Sequence, residues 1–187
     1  MFSRSLFSAI ALQTLVSTAL AGNAIINNHC GYDVTVFNHR STATNAQTPI
    51  PAGGSWSEGL QGHQSLKIAK DPNLMWAHGI TQFEYSVADT LWYDISLIDC
   101  VNFGADGGVD GANCAGYDAG IRMEATGGTC AVANLPPNTH DPSQAYFVWN
   151  DDLSTKSCLP GEIGGDITMT LCSGGGAKRS VAGRIQY

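Results

Sequence analysis

Two adjacent runs of alternating apolar and polar residues, TQFEYSV and LWYDISL, constrain the fold of this chain more than any other feature of its sequence. A period of two is that of a β-strand with one face against a core and the other toward solvent. Only Ala88, Asp89 and Thr90 separate the runs, which is a length typical of a hairpin loop. Residues 81–100 therefore predict two antiparallel strands.

The register of this hairpin follows from the need to keep the two apolar faces together, because a slip of one residue turns every side chain to the other face. The register that pairs Tyr85 with Tyr93 also pairs Phe83 with Ile95 and Val87 with Leu91. On the polar face it sets Glu84 directly opposite Asp94, with Cβ atoms roughly 5 Å apart. Facing carboxylates repel, so either a cation lies nearby or one group stays protonated. From spacing alone the pair indicates either a cleft or two solvated acids on an exposed sheet.

Strand patterns recur along the rest of the chain, whereas no segment shows a convincing amphipathic helix of three turns. We expect strands in GYDVTVFN, SWSEGL, SLKIAK, GIRME, SQAYFVWN and DITMTLC. This succession predicts an all-β sandwich. Residues 101–113 are dense in Gly and Asp but lack the EF-hand pattern and its terminal Glu, so they predict a disulfide-tethered surface loop rather than a calcium site.

The first 21 residues have the pattern of a secretory signal peptide, with Arg4 before an apolar run and a small-residue Ala19-Leu20-Ala21 site. We expect a single domain over residues 22–173 and a flexible tail over residues 174–187. Lys178-Arg179 in that tail is read equally well as a dibasic processing site or as an uncut basic end. The expected location is extracellular.

Charge and cysteine content exclude several classes of function. The formal net charge of −7 argues against nucleic acid or anionic membranes as partners. Six cysteines in a secreted chain favour three disulfides, with fifteen possible pairings. The sequence shows no hydrolase nucleophile motif, no metal-binding histidine spacing and no nucleotide-binding loop. We therefore expect a monomer with no metal and no cofactor, and the carboxylates remain the candidate site.

Two carboxylates are sufficient to hydrolyse a glycosidic bond, at roughly 5 Å with retention or about 6.5–9.5 Å with inversion of configuration. Four tryptophans are candidates for stacking on sugar rings, although tryptophan in a small sandwich more often lies in the core. They are Trp56, Trp76, Trp92 and Trp149.

Several blocks, in order, resemble thaumatin-like proteins. LWYDISLIDCVNFG is similar to the family stretch that reads approximately YDVSLVDGFN, and TQFEYSV is similar to its glutamate-bearing strand. NNHCGYDVTVFN, SQAYFVWNDDLSTKSC and DITMTLCSG resemble its opening strand, its Ala-Tyr segment with an acidic pair, and its closing strand. The low cysteine count resembles the short fungal branch, whose members are antigenic or yeast-phase-specific proteins.

This resemblance implies a thaumatin-like β-sandwich with a cleft formed by one basic and four acidic residues. Carried over by position, the acids are Glu84, Asp94, Asp99 and Asp152, and Lys70 stands where the family has arginine. Lysine lacks the planar bidentate geometry of arginine. The resemblance also implies three disulfides, which are Cys30–Cys172, Cys114–Cys158 and Cys100–Cys130.

Three functions remain open at this point. The first is binding of β-1,3-glucan or a related wall polysaccharide through the acidic cleft. The second is weak endo-β-1,3-glucanase activity, with one of Glu84 and Asp94 as the acid and the other as base or nucleophile. The third is an antigen or effector that acts through protein interaction, for which the cleft is a relic. The lysine at the arginine position favours binding without turnover.

Overall fold

A computed structural model describes residues 22–38, 47–75, 77–162 and 165–174. The predicted signal peptide, Trp76, Lys178-Arg179 and all of the predicted tail after Gly174 lie outside these residues.

The regular secondary structure of the described residues consists almost entirely of short strands. They are β1 (Asn23–Asn28), β2 (Val34–Phe37), β3 (Gln47–Ile50), β4 (Ser55–Gly59), β5 (His63–Ala69), β6 (Thr81–Val87), β7 (Leu91–Ser96), β8 (Asn102–Phe103), β9 (Val109–Asp110), β10 (Ile121–Ala125), β11 (Ala133–Leu135), β12 (Lys156–Ser157) and β13 (Ile167–Leu171). Helical structure in the same ranges is limited to 3-10 turns at Pro72–Leu74, Tyr117–Ala119 and Asp152–Ser154. No helix there is long and apolar enough to cross a membrane.

The strands form two main sheets and a small hairpin. One sheet has five strands in the order β11-β10-β13-β1-β4, and the other has six in the order β12-β7-β6-β5-β2-β3. Strands β8 and β9 pair separately. The first strand lies parallel to the last, with Ile26 opposite Met169, and the other paired strands are antiparallel.

One large core cluster joins the two sheets, and a small separate cluster is formed by Phe37, Ala69, Met75 and Ile80. Ile26 of β1 and Met169 of β13 belong to the same buried cluster as Leu66 of β5 and Phe83 of β6, and each of the four is fully buried. Because alternate residues of each strand enter this cluster, the opposite face of the six-stranded sheet is left for polar side chains. The predicted all-β sandwich is confirmed.

The strand predictions fail mainly where regular alternation is absent or misleading. Strands β1 and β3 were not expected, because AIINN and QTPI carry no clear two-residue pattern. The strand predicted in SQAYFVWN is wrong, since this segment forms turns with one bridge between Ser96 and Tyr146. Asp151 Oδ2 accepts hydrogen bonds from the backbone N–H groups of Phe147 and Val148, and this stabilises a turn in place of a strand.

The disulfides confirm one predicted pair and correct the other two. Cys30–Cys172 ties the end of β1 to the end of β13, as the resemblance implied. The predicted pairs Cys114–Cys158 and Cys100–Cys130 are wrong, because the structure joins Cys100 to Cys114 and Cys130 to Cys158. Hairpin β8–β9 turns the chain back and brings Cys100 and Cys114 within 5.1 Å between Cα atoms.

The same bond between Cys100 and Cys114 closes residues 101–113 into the tethered loop that the sequence predicted. The last bond has a similar local cause. The backbone N–H of Ala131 donates to the carbonyl oxygen of Ser157 at 3.0 Å. Cys130, which precedes Ala131, and Cys158, which follows Ser157, are therefore neighbours.

We predict that the three bonds differ in their contribution to stability according to the chain length that they close. Sequence separations of 142 and 14 residues correspond to about 5 and about 3 kcal/mol of loop entropy removed from the unfolded state. Urea unfolding should show a larger loss for Cys30→Ala/Cys172→Ala than for Cys100→Ala/Cys114→Ala. An equal or reversed order would contradict this account.

Candidate functional site

The candidate site is built on the outer face of strands β5, β6 and β7. Phe83 pairs with Ile95 and Tyr85 pairs with Tyr93, and all four side chains lie in the core. The register of the hairpin is therefore the predicted one, and Glu84 lies directly opposite Asp94 on the polar face. A strand pairing that is demanded by the core places two carboxylates together.

The acid pair lies in a groove with a volume of about 790 Å³. Its walls come from the outward-facing residues of the three strands and from the segment after β11. The lining residues are His63, Gln64, Ser65, Lys67, Glu84, Tyr85, Ser86, Trp92, Asp94, Ile98, Tyr146 and Trp149. The two predicted catalytic residues, Glu84 and Asp94, therefore lie in a concave surface. This arrangement favours the cleft interpretation over that of two solvated acids on an exposed sheet.

Asp94 is the more strongly perturbed of the two acids. Burial raises the pKa of Asp94 to about 7, and the nearby charge of Glu84 adds to the rise. Its Oδ1 atom is buried and has no hydrogen-bond partner among the described residues. Asp94 is therefore protonated in mildly acidic solution and retains an unused hydrogen-bonding atom.

Glu84 has more compensation than Asp94. Burial again raises the pKa of Glu84, but the nearby hydroxyl of Ser65 and the charge of Lys67 oppose this rise, while Asp99 reinforces it. Because positive charge and a nearby hydroxyl favour the ionised form, the rise in the pKa of Glu84 is partly offset, whereas Asp94 has no such compensation.

The cation beside the acids is Lys67, not the predicted Lys70. Lys67 lies on the same face of β5 as Ser65, which pairs with Glu84. Lys70 follows the end of β5, three residues after Lys67. Because an odd offset along a strand leads to the opposite face, Lys70 does not share the face of Lys67.

Lys70 takes part in a different set of contacts, away from the residues that line the groove. Its Nζ donates to the carbonyl oxygen of Ala112 at 3.1 Å and lies 3.7 Å from Asp118. It also lies 4.9 Å from the ring centroid of Tyr32. These contacts link the end of β5 to the segment before β2, to the loop that the Cys100–Cys114 bond closes and to the turn that follows it, and they place Lys70 outside the groove lining.

Gln82 connects Lys67 to Asp99 beneath the groove. Its Oε1 accepts hydrogen bonds from Lys67 Nζ at 2.6 Å and from Ser65 Oγ at 2.9 Å. Its Nε2 donates to Asp99 Oδ2 at 3.1 Å. Asp99 lies beside a smaller cavity of about 270 Å³, which Lys67 also lines. Asp99 thus acts on the acid pair through this network and does not line the main groove.

Asp152, the fourth predicted acid, lies behind one wall of the groove. The hydroxyl of Tyr146 donates to Asp152 Oδ1 at 3.3 Å and lies 2.8 Å from Thr155 Oγ1. Since Tyr146 lines the groove, Asp152 positions an aromatic wall and does not line the groove itself.

Two tryptophans contradict the expectation of core positions. Trp92 is 46% exposed and Trp149 is 83% exposed, and both line the groove. Trp92 has the same parity as Asp94 in LWYDIS, a signal that could have placed it on the polar face. The sequence gives no such signal for Trp149. In the predicted strand SQAYFVWN, alternation places Trp149 on the same face as Ala145 and Phe147, which are buried. Trp56, by contrast, is partly buried against the core.

One group of side chains has the spacing of a metal site, and its chemistry does not suit one. Sulfur and oxygen atoms of Cys130, Cys158 and Glu162 lie within 4.8 Å of one another. Both sulfurs belong to a disulfide and so are not thiolate ligands.

Comparison with known proteins gives a matching family and a number of similar structures, two of which are described here. The family of the Blastomyces yeast-phase-specific protein matches residues 11–173. The structure of the protein elicitor MoHrip2 from Magnaporthe oryzae is 22% identical, with a TM-score of 0.58, over 82% of this chain and all of that one. The thaumatin-like xylanase inhibitor TLXI is 15% identical, with a TM-score of 0.47, over 81% and 99% of the two chains, and we draw nothing from this weaker likeness. No curated protein matches the sequence.

The likeness to MoHrip2 supports the fold alone, because the sequences differ at most positions. The family match is stronger, since it covers nearly the whole described domain. It confirms the resemblance to the fungal branch that the sequence blocks indicated: the chain belongs to the family of the Blastomyces yeast-phase-specific protein.

Proposed function

We propose that this protein is a secreted polysaccharide-binding protein whose groove recognises β-1,3-glucan or a related wall polysaccharide. The observation that carries the proposal is the facing pair of Glu84 and Asp94 on the floor of an open groove. Carboxyl groups of this kind accept hydrogen bonds from sugar hydroxyls, and bonds to charged groups contribute about 1.5–3 kcal/mol each. Three disulfides suit an oxidising, extracellular environment.

The unpartnered oxygen of Asp94 strengthens the case for ligand binding. A buried polar atom without a hydrogen bond reduces stability by about 1–3 kcal/mol, so binding of a group that supplies this bond is favoured. A sugar hydroxyl that enters the groove would supply the missing bond to Asp94 Oδ1. Neutral sugars suit this site better than anionic ones, because Glu84 would repel a second negative charge.

A second function, weak endo-β-1,3-glucanase activity, is favoured by one specific observation. The pKa of Asp94 is about 7, which suits a general acid that protonates a leaving glycosidic oxygen. Glu84, with Ser65 and Lys67 as compensation, would be the ionised partner that acts as nucleophile or base.

Binding is tested by retention of the purified protein on insoluble β-1,3-glucan. We expect Asp94→Ala to weaken retention about tenfold or more, because the variant loses the hydrogen bonds of one carboxyl group. The matched control is Asp89→Ala, which removes an exposed carboxylate from the turn of the same hairpin, outside the groove. Absence of retention for the wild type, or equal retention of Asp94→Ala, would exclude the proposal.

The electrostatics of the acid pair are tested by the pH dependence of stability. The pKa of Asp94 is about 7 in the folded protein, whereas an unperturbed Asp has about 3.9. Between these values the folded state binds more protons than the unfolded state, so this group makes the free energy of unfolding fall as pH rises. We expect wild type to lose on the order of 4 kcal/mol more than Asp94→Asn between pH 4 and 8 in urea unfolding. Parallel profiles for the two proteins would contradict the assigned pKa.

Hydrolysis is tested by incubating the protein with a soluble β-1,3-glucan from acidic to neutral pH and measuring new reducing ends. If the acid pair is catalytic, we expect slow release that Glu84→Gln and Asp94→Asn each reduce by at least about 100-fold, the usual contribution of a general acid or base. Asp89→Asn is the control. No new reducing ends with a wild-type protein that binds glucan would leave binding as the function.

A further inference from the structure

Aromatic side chains lie on both sides of the acid pair, and the proposal of polysaccharide binding does not depend on them. Trp92 and Trp149 both line the groove although large parts of their rings are exposed, 46% and 83% respectively. An exposed tryptophan ring leaves apolar surface area in contact with water. Burial of this area against a ligand would favour binding.

The strand register places Trp92 toward one end of the groove and Tyr146, which begins the segment that carries Trp149, toward the other. Trp92 precedes Asp94 by two residues on the same face of β7, and Ser96 follows it by two. Tyr146 pairs with Ser96, and Trp149 comes three residues after Tyr146. Four residues of an antiparallel strand span roughly 14 Å, which is wider than one hexose ring. Asp94 therefore lies between Trp92 and Tyr146, which no single sugar ring can contact together, and Trp149 adds an exposed ring on the segment that begins at Tyr146.

The segment that carries Trp149 is held in place before any ligand arrives. The backbone N–H of Tyr146 donates to the carbonyl oxygen of Ile95 at 2.8 Å. Asp151 Oδ2 accepts from the N–H groups of Phe147 and Val148 at 2.9 and 3.0 Å. Ordering of a binding loop opposes association, so a fixed turn with an exposed ring at its tip is suited to recognition.

Resting on the proposed function, we propose that Trp92 and Trp149 are two outer stacking sites, and that the groove binds several consecutive units of a neutral glucan chain. The rings stack on sugars at the two ends, and Glu84 and Asp94 accept hydroxyl hydrogen bonds between them. Lys67 is already bonded to Gln82, so the groove offers little to an anionic sugar. Short saccharides contact only one ring and bind weakly.

The other reading of the same surface is a protein-docking patch centred on the segment with Trp149. Leu153 in this segment is 81% exposed and does not line the groove. A hydrophobic docking patch would use Leu153 together with Trp149, whereas a sugar-stacking site uses only the groove-lining rings. Leu153 therefore distinguishes the two readings.

The experiment is calorimetric titration of the full secreted protein with β-1,3-gluco-oligosaccharides of one to six units. We expect affinity to rise at least tenfold between the disaccharide and the hexasaccharide. Trp92→Ala and Trp149→Ala should each lower hexasaccharide affinity about tenfold and change disaccharide affinity much less. Trp92→Phe and Trp149→Phe should recover most of the loss, because they keep an aromatic face. Leu153→Ala, and Phe103→Ala at an exposed aromatic outside the groove, should bind like wild type.

The outcomes separate this inference from the function on which it rests. Retention on β-1,3-glucan with equal affinity for the disaccharide and the hexasaccharide, or with wild-type binding by both alanine variants, would overturn the two stacking sites and leave polysaccharide binding intact. A loss for Leu153→Ala equal to that for Trp149→Ala would also overturn them, in favour of a general apolar surface. Failure of the wild type to bind glucan in any form would remove both proposals. Thermal unfolding of each variant excludes loss of fold as the cause.

Discussion

The pairing of β6 with β7 is the constraint on which the rest of the site depends. Phe83, Tyr85, Tyr93 and Ile95 must all enter the core, and only a register that matches them satisfies both strands. That register brings Glu84 opposite Asp94 whether or not the electrostatics are favourable. The free energy of burying the aromatic and aliphatic side chains exceeds the repulsion between the two carboxyl groups. This repulsion is relieved when one of the groups takes up a proton.

The polar network beneath the groove makes this repulsion tolerable. Gln82 accepts from Lys67 and Ser65 and donates to Asp99, so it links a cation to an acid without placing them in direct contact. Glu84 benefits from both Ser65 and Lys67, while Asp94 has neither. Unequal compensation gives the two carboxyl groups different pKa values, which is the physical basis for assigning them different roles.

The rim of the groove follows from the disulfides and turns more than from the sheet. Cys130–Cys158 holds the chain near β12, which pairs with β7 at Trp92. The turn capped by Asp151 carries Trp149 across to the same groove. Tyr146 and Trp149 therefore come from a segment about 50 residues after Asp94 in the chain and are brought to the groove by tertiary structure, whereas Trp92 belongs to β7 itself.

Local periodicity was enough to predict the sandwich class, the β6–β7 hairpin, its register and the facing acids, because core burial acts on alternate residues of neighbouring strands. The alternation of residues along β5 and β7 was also enough to place Lys67 and Trp92 on the same face as the acid pair. The resemblance to thaumatin-like proteins indicated Lys70 as the cation instead.

Tertiary structure alone decided which cysteines pair, where Lys70 points and that Trp149 reaches the groove. These contacts depend on how loops return across the sheet, and two-residue alternation carries no information about approaches between segments that are distant in the chain. The sequence thus determined the acid pair, and the fold decided what surrounds it.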